Sequence, residues 1–138
     1  MAGTFKFELV TPEKRVIPRT GDDPRAVVTA EATEAVVPGL DGQFTVLAGH
    51  APMISALRPG IVDIALTTGR RRVFVRGGIV EVEPDQLTVL AQTFLDLDEA
   101  DPDALKAEKK AAEALAQSAT NDADRLSADT ALQVLNSL

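Results

Sequence analysis

Through roughly the first ninety residues, apolar and polar positions alternate with a period of two, the spacing of a strand that turns one face to a core. Phe5, Phe7 and Leu9 alternate with Lys6 and Glu8, and the same reading predicts strands over 34–37, 44–47, 61–66, 72–76, 79–83 and 86–91. The breaks fall at Arg58-Pro59-Gly60, Thr67-Thr68-Gly69, Gly77-Gly78 and Glu83-Pro84-Asp85, residue types that supply turn geometry. Short strands at regular spacing predict an all-β sandwich or barrel, and no helix of normal length fits between these breakers.

From about residue 100 the period changes. Asp101-Pro102-Asp103 sets a capping acid before a proline at the first helical position. Ala104, Ala107, Ala111, Ala114 and Ser118 then recur at three- and four-residue spacing, a seam of small side chains that a second helix can approach closely. Thr120-Asn121-Asp122 interrupts the run, and Ala128, Ala131, Leu132, Leu135 and Leu138 form a second apolar face. The expected arrangement is an antiparallel helical hairpin. The reading divides the chain into a β domain over 1–96 and an α-helical hairpin over 97–138.

Charge follows the same division. The net charge of −7 argues against general nucleic-acid binding, and residues 97–138 hold 9 acidic side chains against 4 basic ones. Arg70, Arg71, Arg72 and Arg76 form the dense basic cluster; without interleaved aromatics it reads as a solvated hairpin end, with an acidic partner surface as the functional alternative. There is no cysteine, so no disulfide and no thiolate chemistry. No apolar run approaches the roughly 20 residues of a membrane span, and the start of the chain lacks a signal-peptide pattern. No phosphate-binding glycine loop, histidine pair or Ser-His-Asp spacing is present, and the single histidine, His50, cannot make a metal site alone. Catalysis, cofactors and metals are therefore not expected.

The most informative stretch is Pro38-Gly39-Leu40-Asp41-Gly42-Gln43-Phe44-Thr45-Val46-Leu47-Ala48-Gly49-His50-Ala51-Pro52. Its glycines and prolines turn the backbone near 39–42 and again at Gly49, leaving a short strand between two shaped loops. Together with Phe7-Glu8-Leu9-Val10-Thr11-Pro12-Glu13-Lys14, Leu57-Arg58-Pro59-Gly60, Phe74-Val75-Arg76-Gly77-Gly78 and Thr88-Val89-Leu90-Ala91, it resembles the epsilon subunits of F-type ATP synthases, called delta in mitochondria. The match is specific over residues 5 to 92 and weaker over the helical tail.

The resemblance implies a β-sandwich of about ten short strands followed by a C-terminal antiparallel two-helix hairpin. It implies a non-catalytic rotor subunit of the central stalk in a proton-translocating synthase, peripheral on the cytoplasmic face of the membrane and reaching that membrane only through the complex. The implied partners are the gamma (shaft) subunit and the ring of c subunits, with transient contact to the catalytic beta subunits. By the same resemblance, Leu40, Asp41, Gly42 and Gln43 face the rotor ring, and His50, Ala51 and Pro52 lie near the shaft. Ring contacts of this kind are polar and exposed, worth about a kcal/mol each, so docking is expected to be distributed.

Three departures from the family pattern matter. Some bacterial relatives bind ATP through an LD-x-x-RA motif; here Asp98 is kept, but Asp101 stands at the arginine position and Pro102 at the alanine position. An acid cannot hold a phosphate, so no nucleotide binding is expected. In inhibitory relatives basic residues on the second helix meet an acidic segment of the catalytic subunits, whereas this second helix offers Arg125 against Asp122, Asp124 and Asp129. A weakly inhibitory or non-inhibitory hairpin is expected. Finally, the chain between Lys14 and Glu34 is longer than usual by about a dozen residues, an insertion around 18–30 read as an extended loop or hairpin. The alternative from another class is a free-standing sandwich that binds a small ligand or carbohydrate. The absence of Trp and Tyr counts against it.

Overall fold

The computed structural model describes residues 3–10, 26–98 and 102–138, with side chains described throughout except at 26–29. Among the described residues nine strands precede two helices: β1 (Phe5–Val10), β2 (Ala26–Gly39), β3 (Gly42–Leu47), β4 (Met53–Leu57), β5 (Gly60–Leu66), β6 (Gly69–Val75), β7 (Gly78–Glu83), β8 (Gln86–Ala91), β9 (Phe94–Asp96), α1 (Pro102–Ser118) and α2 (Asp122–Asn136).

The alternating residues turn inward as their period requires. Phe5, Phe7 and Leu9 from β1, Val80 and Val82 from β7, and Leu87 and Val89 from β8 meet Val62 and Ile64 from β5, Val73 and Val75 from β6, and Phe94 from β9 in one core. The strands run in the order β1-β8-β7-β4-β2-β5-β6-β9, with β3 added on β2. The long β2 bridges the two layers. Its first half pairs antiparallel with β1 and its second half with β3 and β5, with an irregularity in its register to β5 between Ala32 and Glu34.

Part of the expected insertion is therefore strand: residues 26–30 extend β2 and pair with β1, which makes β1 and β2 the arms of a hairpin. Residues 11–25 lie outside the described residues. Two strands that alternation does not announce also appear. β4 follows Pro52 with apolar residues on both of its faces, and all three residues of β9 are buried, so neither shows a period of two.

The helices pack against each other and against the outer face of the second layer. Phe74 and Leu95 are cross-strand partners on β6 and β9, and they form a second core with Ala112 of α1 and with Ala131 and Leu135 of α2. The face that α1 buries only borders the expected alanine seam. Glu108 and Ala112 are buried, and Ala104, Leu105 and Ala111 half-buried, while Ala107, Ala114 and Ser118 are exposed. The expected face of α2 fares better, with Ala128, Ala131 and Leu135 buried and Leu138 exposed.

Candidate docking surfaces

In the β2–β3 hairpin Gly39 faces Gly42 and Pro38 faces Gln43, which leaves Leu40 and Asp41 as a two-residue tip. A Cβ on Gly39 would stand 2.7 Å from the Gly42 carbonyl oxygen and 2.9 Å from the Phe44 ring, so only glycine lets the strand fold over that ring. The tip is braced from below. The Leu40 amide donates to the Ala56 carbonyl at 2.9 Å, and the Arg58 amide to the Pro38 carbonyl at 3.0 Å. Leu40, Asp41 and Gln43 are consequently exposed on a held backbone, with Leu40 at 61%.

His50, Ala51 and Pro52 lie at the other end of β3, five residue steps away or about 17 Å. Here the His50 Nδ1 donates to the Ala51 carbonyl at 2.7 Å, and the ring stands 6.5 Å from that of Phe44. The Gly49 amide donates to the Pro84 carbonyl at 2.7 Å, tying this turn to the one between β7 and β8. His50 is half-buried, and Ala51 and Pro52 are exposed. The two turns read in sequence thus stand at opposite ends of one strand.

Between them lies a surface that sequence reasoning missed. On the outer face of the first layer Ile54 pairs with Glu81 and Ala56 with Ile79, while Ile79 in turn faces Leu90. Ile54 is 69% exposed and Ile79 42%. No described residue covers this apolar band, and the hydrogen bond from Leu40 to Ala56 makes it continuous with the hairpin tip. The signal was available: Ile79 occupies a position whose strand neighbours on the same side are Glu81 and Glu83.

The arginine cluster is a solvated end only in part: Arg70 and Arg72 are exposed, with Arg70 Nε 3.4 Å from Asp63 Oδ1, whereas Arg71 is ion-paired with the buried Asp96 and Arg76 Nε stands 3.5 Å from Glu108 Oε1. Arg76 also donates to Thr93 Oγ1 at 3.1 Å. It lines an open cleft of about 520 Å³ between sandwich and hairpin, together with Gln92, Thr93, Asp124 and Ser127. Asp98 is committed to the backbone. Its Oδ2 accepts from the Arg72 amide at 3.0 Å and its own amide donates to Asp96 Oδ1 at 3.1 Å, fastening the exit from β9. Pro102 opens α1, and Asp101 lies outside the described residues.

Residues 4–96 match the family model described as the ATP synthase, Delta/Epsilon chain, beta-sandwich domain. The chain belongs to this delta/epsilon family. It is 42% identical to an ATP synthase epsilon chain of Rhodospirillum centenum, over 96% of this chain and 87% of the relative, and 38% identical to one of Parvibaculum lavamentivorans, over 100% and 97%. Its fold is that of a chain in the Euglena gracilis mitochondrial ATP synthase structure (OSCP/F1/c-ring), with a TM-score of 0.61 and 20% identity over 96% of this chain and 78% of that one. A chain in the central stalk/c-ring structure of the Tetrahymena thermophila mitochondrial ATP synthase matches with the same TM-score at 12% identity, over 96% and 94%. Membership of the delta/epsilon family thus covers the whole sandwich, and the full-length relatives carry it through the helices.

Proposed function

We propose that this delta/epsilon chain is a non-catalytic central-stalk subunit of an F-type ATP synthase, a rigid coupler between the gamma shaft and the ring of c subunits. The observation that carries the reading is the uncovered apolar band of Ile54, Ala56 and Ile79, continuous with the braced tip at Leu40. A sandwich suits the task because two close-packed sheets resist deformation while their loops can be shaped to a partner. In this reading the band takes the shaft, with His50, Ala51 and Pro52 at its rim, and Leu40, Asp41, Gly42 and Gln43 meet the ring. Among the described residues no helix is long and apolar enough to cross a membrane, which supports attachment through the complex; the cytoplasmic face is the side proposed. The division into a docking sandwich over 1–96 and a hairpin over 97–138 belongs to the same proposal, as do the absence of nucleotide binding and weak or absent inhibition by the hairpin.

The test is affinity purification of the tagged chain from detergent-solubilised native membranes, repeated with Ile54→Glu. The expected outcome is recovery of catalytic, shaft and ring subunits with the native chain. The variant should bind the shaft subunit about tenfold more weakly or worse, because a charge at the centre of an apolar interface must be desolvated without a partner. Recovery of the native chain alone would overturn the reading.

A further inference from the structure

α1 has two faces that can meet the sandwich. The face through Ala104, Ala107, Ala111 and Ala114 is uncharged and made of methyl groups. The face that is buried centres on Leu105, Glu108 and Ala112, a rotation of about one residue or roughly 100°, which leaves Ala104 and Ala111 half-buried at its edge. Hydrophobic burial does not choose a carboxylate over a methyl group, since taking the charge out of water is costly. Leu105 draws this face inward, but the carboxylate buried beside it needs a partner, and Arg76 is placed to supply one. The Arg76 amide donates to the Thr93 carbonyl at 3.0 Å and its guanidinium to Thr93 Oγ1 at 3.1 Å, so its position is fixed by the sandwich before any helix arrives. Glu108 Oε1 has no hydrogen-bond partner among the described residues, and Arg76 Nε faces it at 3.5 Å.

We propose that Arg76 and Glu108 form a register lock: the pair selects the rotation of α1 and with it the single docked position of the hairpin over Phe74 and Leu95. The apolar cluster provides attraction without direction. The ion pair provides the direction, the use of buried charge that is best attested elsewhere in coiled-coil register. The inference does not depend on the rotor reading, because it concerns contacts within one chain.

The full chain, methyl-labelled for NMR, tests it with three sequences. The native protein should show one set of contacts from the Phe74 ring to the methyls of Ala112, Ala131 and Leu135. Because the chain has no cysteine, thiols introduced at Thr68 and Gln133 can carry spin labels that report docking by their separation. Arg76→Met strands Glu108 and should raise the undocked population at least tenfold. Arg76→Met combined with Glu108→Met should dock again but in two registers, with contacts from Phe74 to Ala111 appearing beside those to Ala112. Unchanged sandwich resonances at Val80 and Val89 will establish that each variant is folded. A double variant that keeps the native contacts alone would overturn the lock, since the apolar cluster would then suffice to set the register. So would Arg76→Met docked as in the native chain.

Discussion

Gly78 begins β7 opposite Ala91 with φ at +133°, and a Cβ there would stand 2.0 Å from the Leu90 carbonyl oxygen and 3.0 Å from the Ala91 Cα. Both obstacles are backbone in the centre of a sheet, so they cannot step aside. Gly78→Ala should cost at least about 2 kcal/mol, from an unfavourable backbone conformation together with the clash. For a chain of this size that lowers the melting temperature by roughly 8 °C, which calorimetry would register. Gly77→Ala meets only the far end of the Gln92 side chain at 3.2 Å, although its own φ of +99° adds strain. The glycine pair was legible as a turn, but which member the sheet requires depends on Leu90 and Ala91, a dozen residues away. The arginines show the same limit. Four of them were visible as a cluster, yet Asp96 and Glu108 become partners only through the register of β6 on β9 and the rotation of α1. Neither register nor rotation is written in the local pattern.

Among the elements, α2 has the most completely readable start. Asn121 is extended at φ −143°, its Oδ1 accepts from the Asp124 amide at 2.8 Å, and its Nδ2 donates to Asp124 Oδ2 at 2.9 Å. Asn121→Ala removes both contacts and should cost about 1 kcal/mol, felt first in the opening turn of the helix. Hydrogen exchange of the Asp124 and Arg125 amides, which donate to Asn121, should accelerate roughly fivefold, while the amides of β7 and β8 keep their native rates. The break at Thr120-Asn121-Asp122 announced this start because capping chemistry is local. The strands with one buried and one wet face, β1, β7 and β8, were legible for a similar reason: burial of one face imposes alternation. β9 is buried on both faces, and β4 carries Ile54 and Ala56 of the uncovered apolar band on its outer face, so alternation fails in each for a structural cause. α1 misled because a helix rich in alanine offers several plausible faces, and the one used is set by Arg76 across the interface.

At the scale of the whole molecule, charge divides between a nearly balanced sandwich and an acidic hairpin, and this bears on whether the tail can act at a distance. α2 exposes Asp122, Asp124 and Asp129 around a single Arg125, and its apolar side is committed to Phe74 and Leu95 through Ala131 and Leu135. To reach the catalytic subunits the hairpin would have to surrender that cluster and the Arg76–Glu108 pair, then bring an acidic helix against the acidic segment that the family resemblance places there. Like charges at close range oppose the contact, and the loss of the docked interface has no evident compensation. A chain ending at Asp98, assembled into the complete complex, should therefore change the rate of ATP hydrolysis by less than about twofold. The comparison requires complexes of matched subunit content, because truncation uncovers Phe74 and Leu95 and can impair assembly for reasons unrelated to inhibition. A tenfold rise in hydrolysis by a fully assembled truncated complex would mean that the hairpin does leave the sandwich. The acidic helix would then need a basic surface to receive it, and a search for that surface would begin on the shaft.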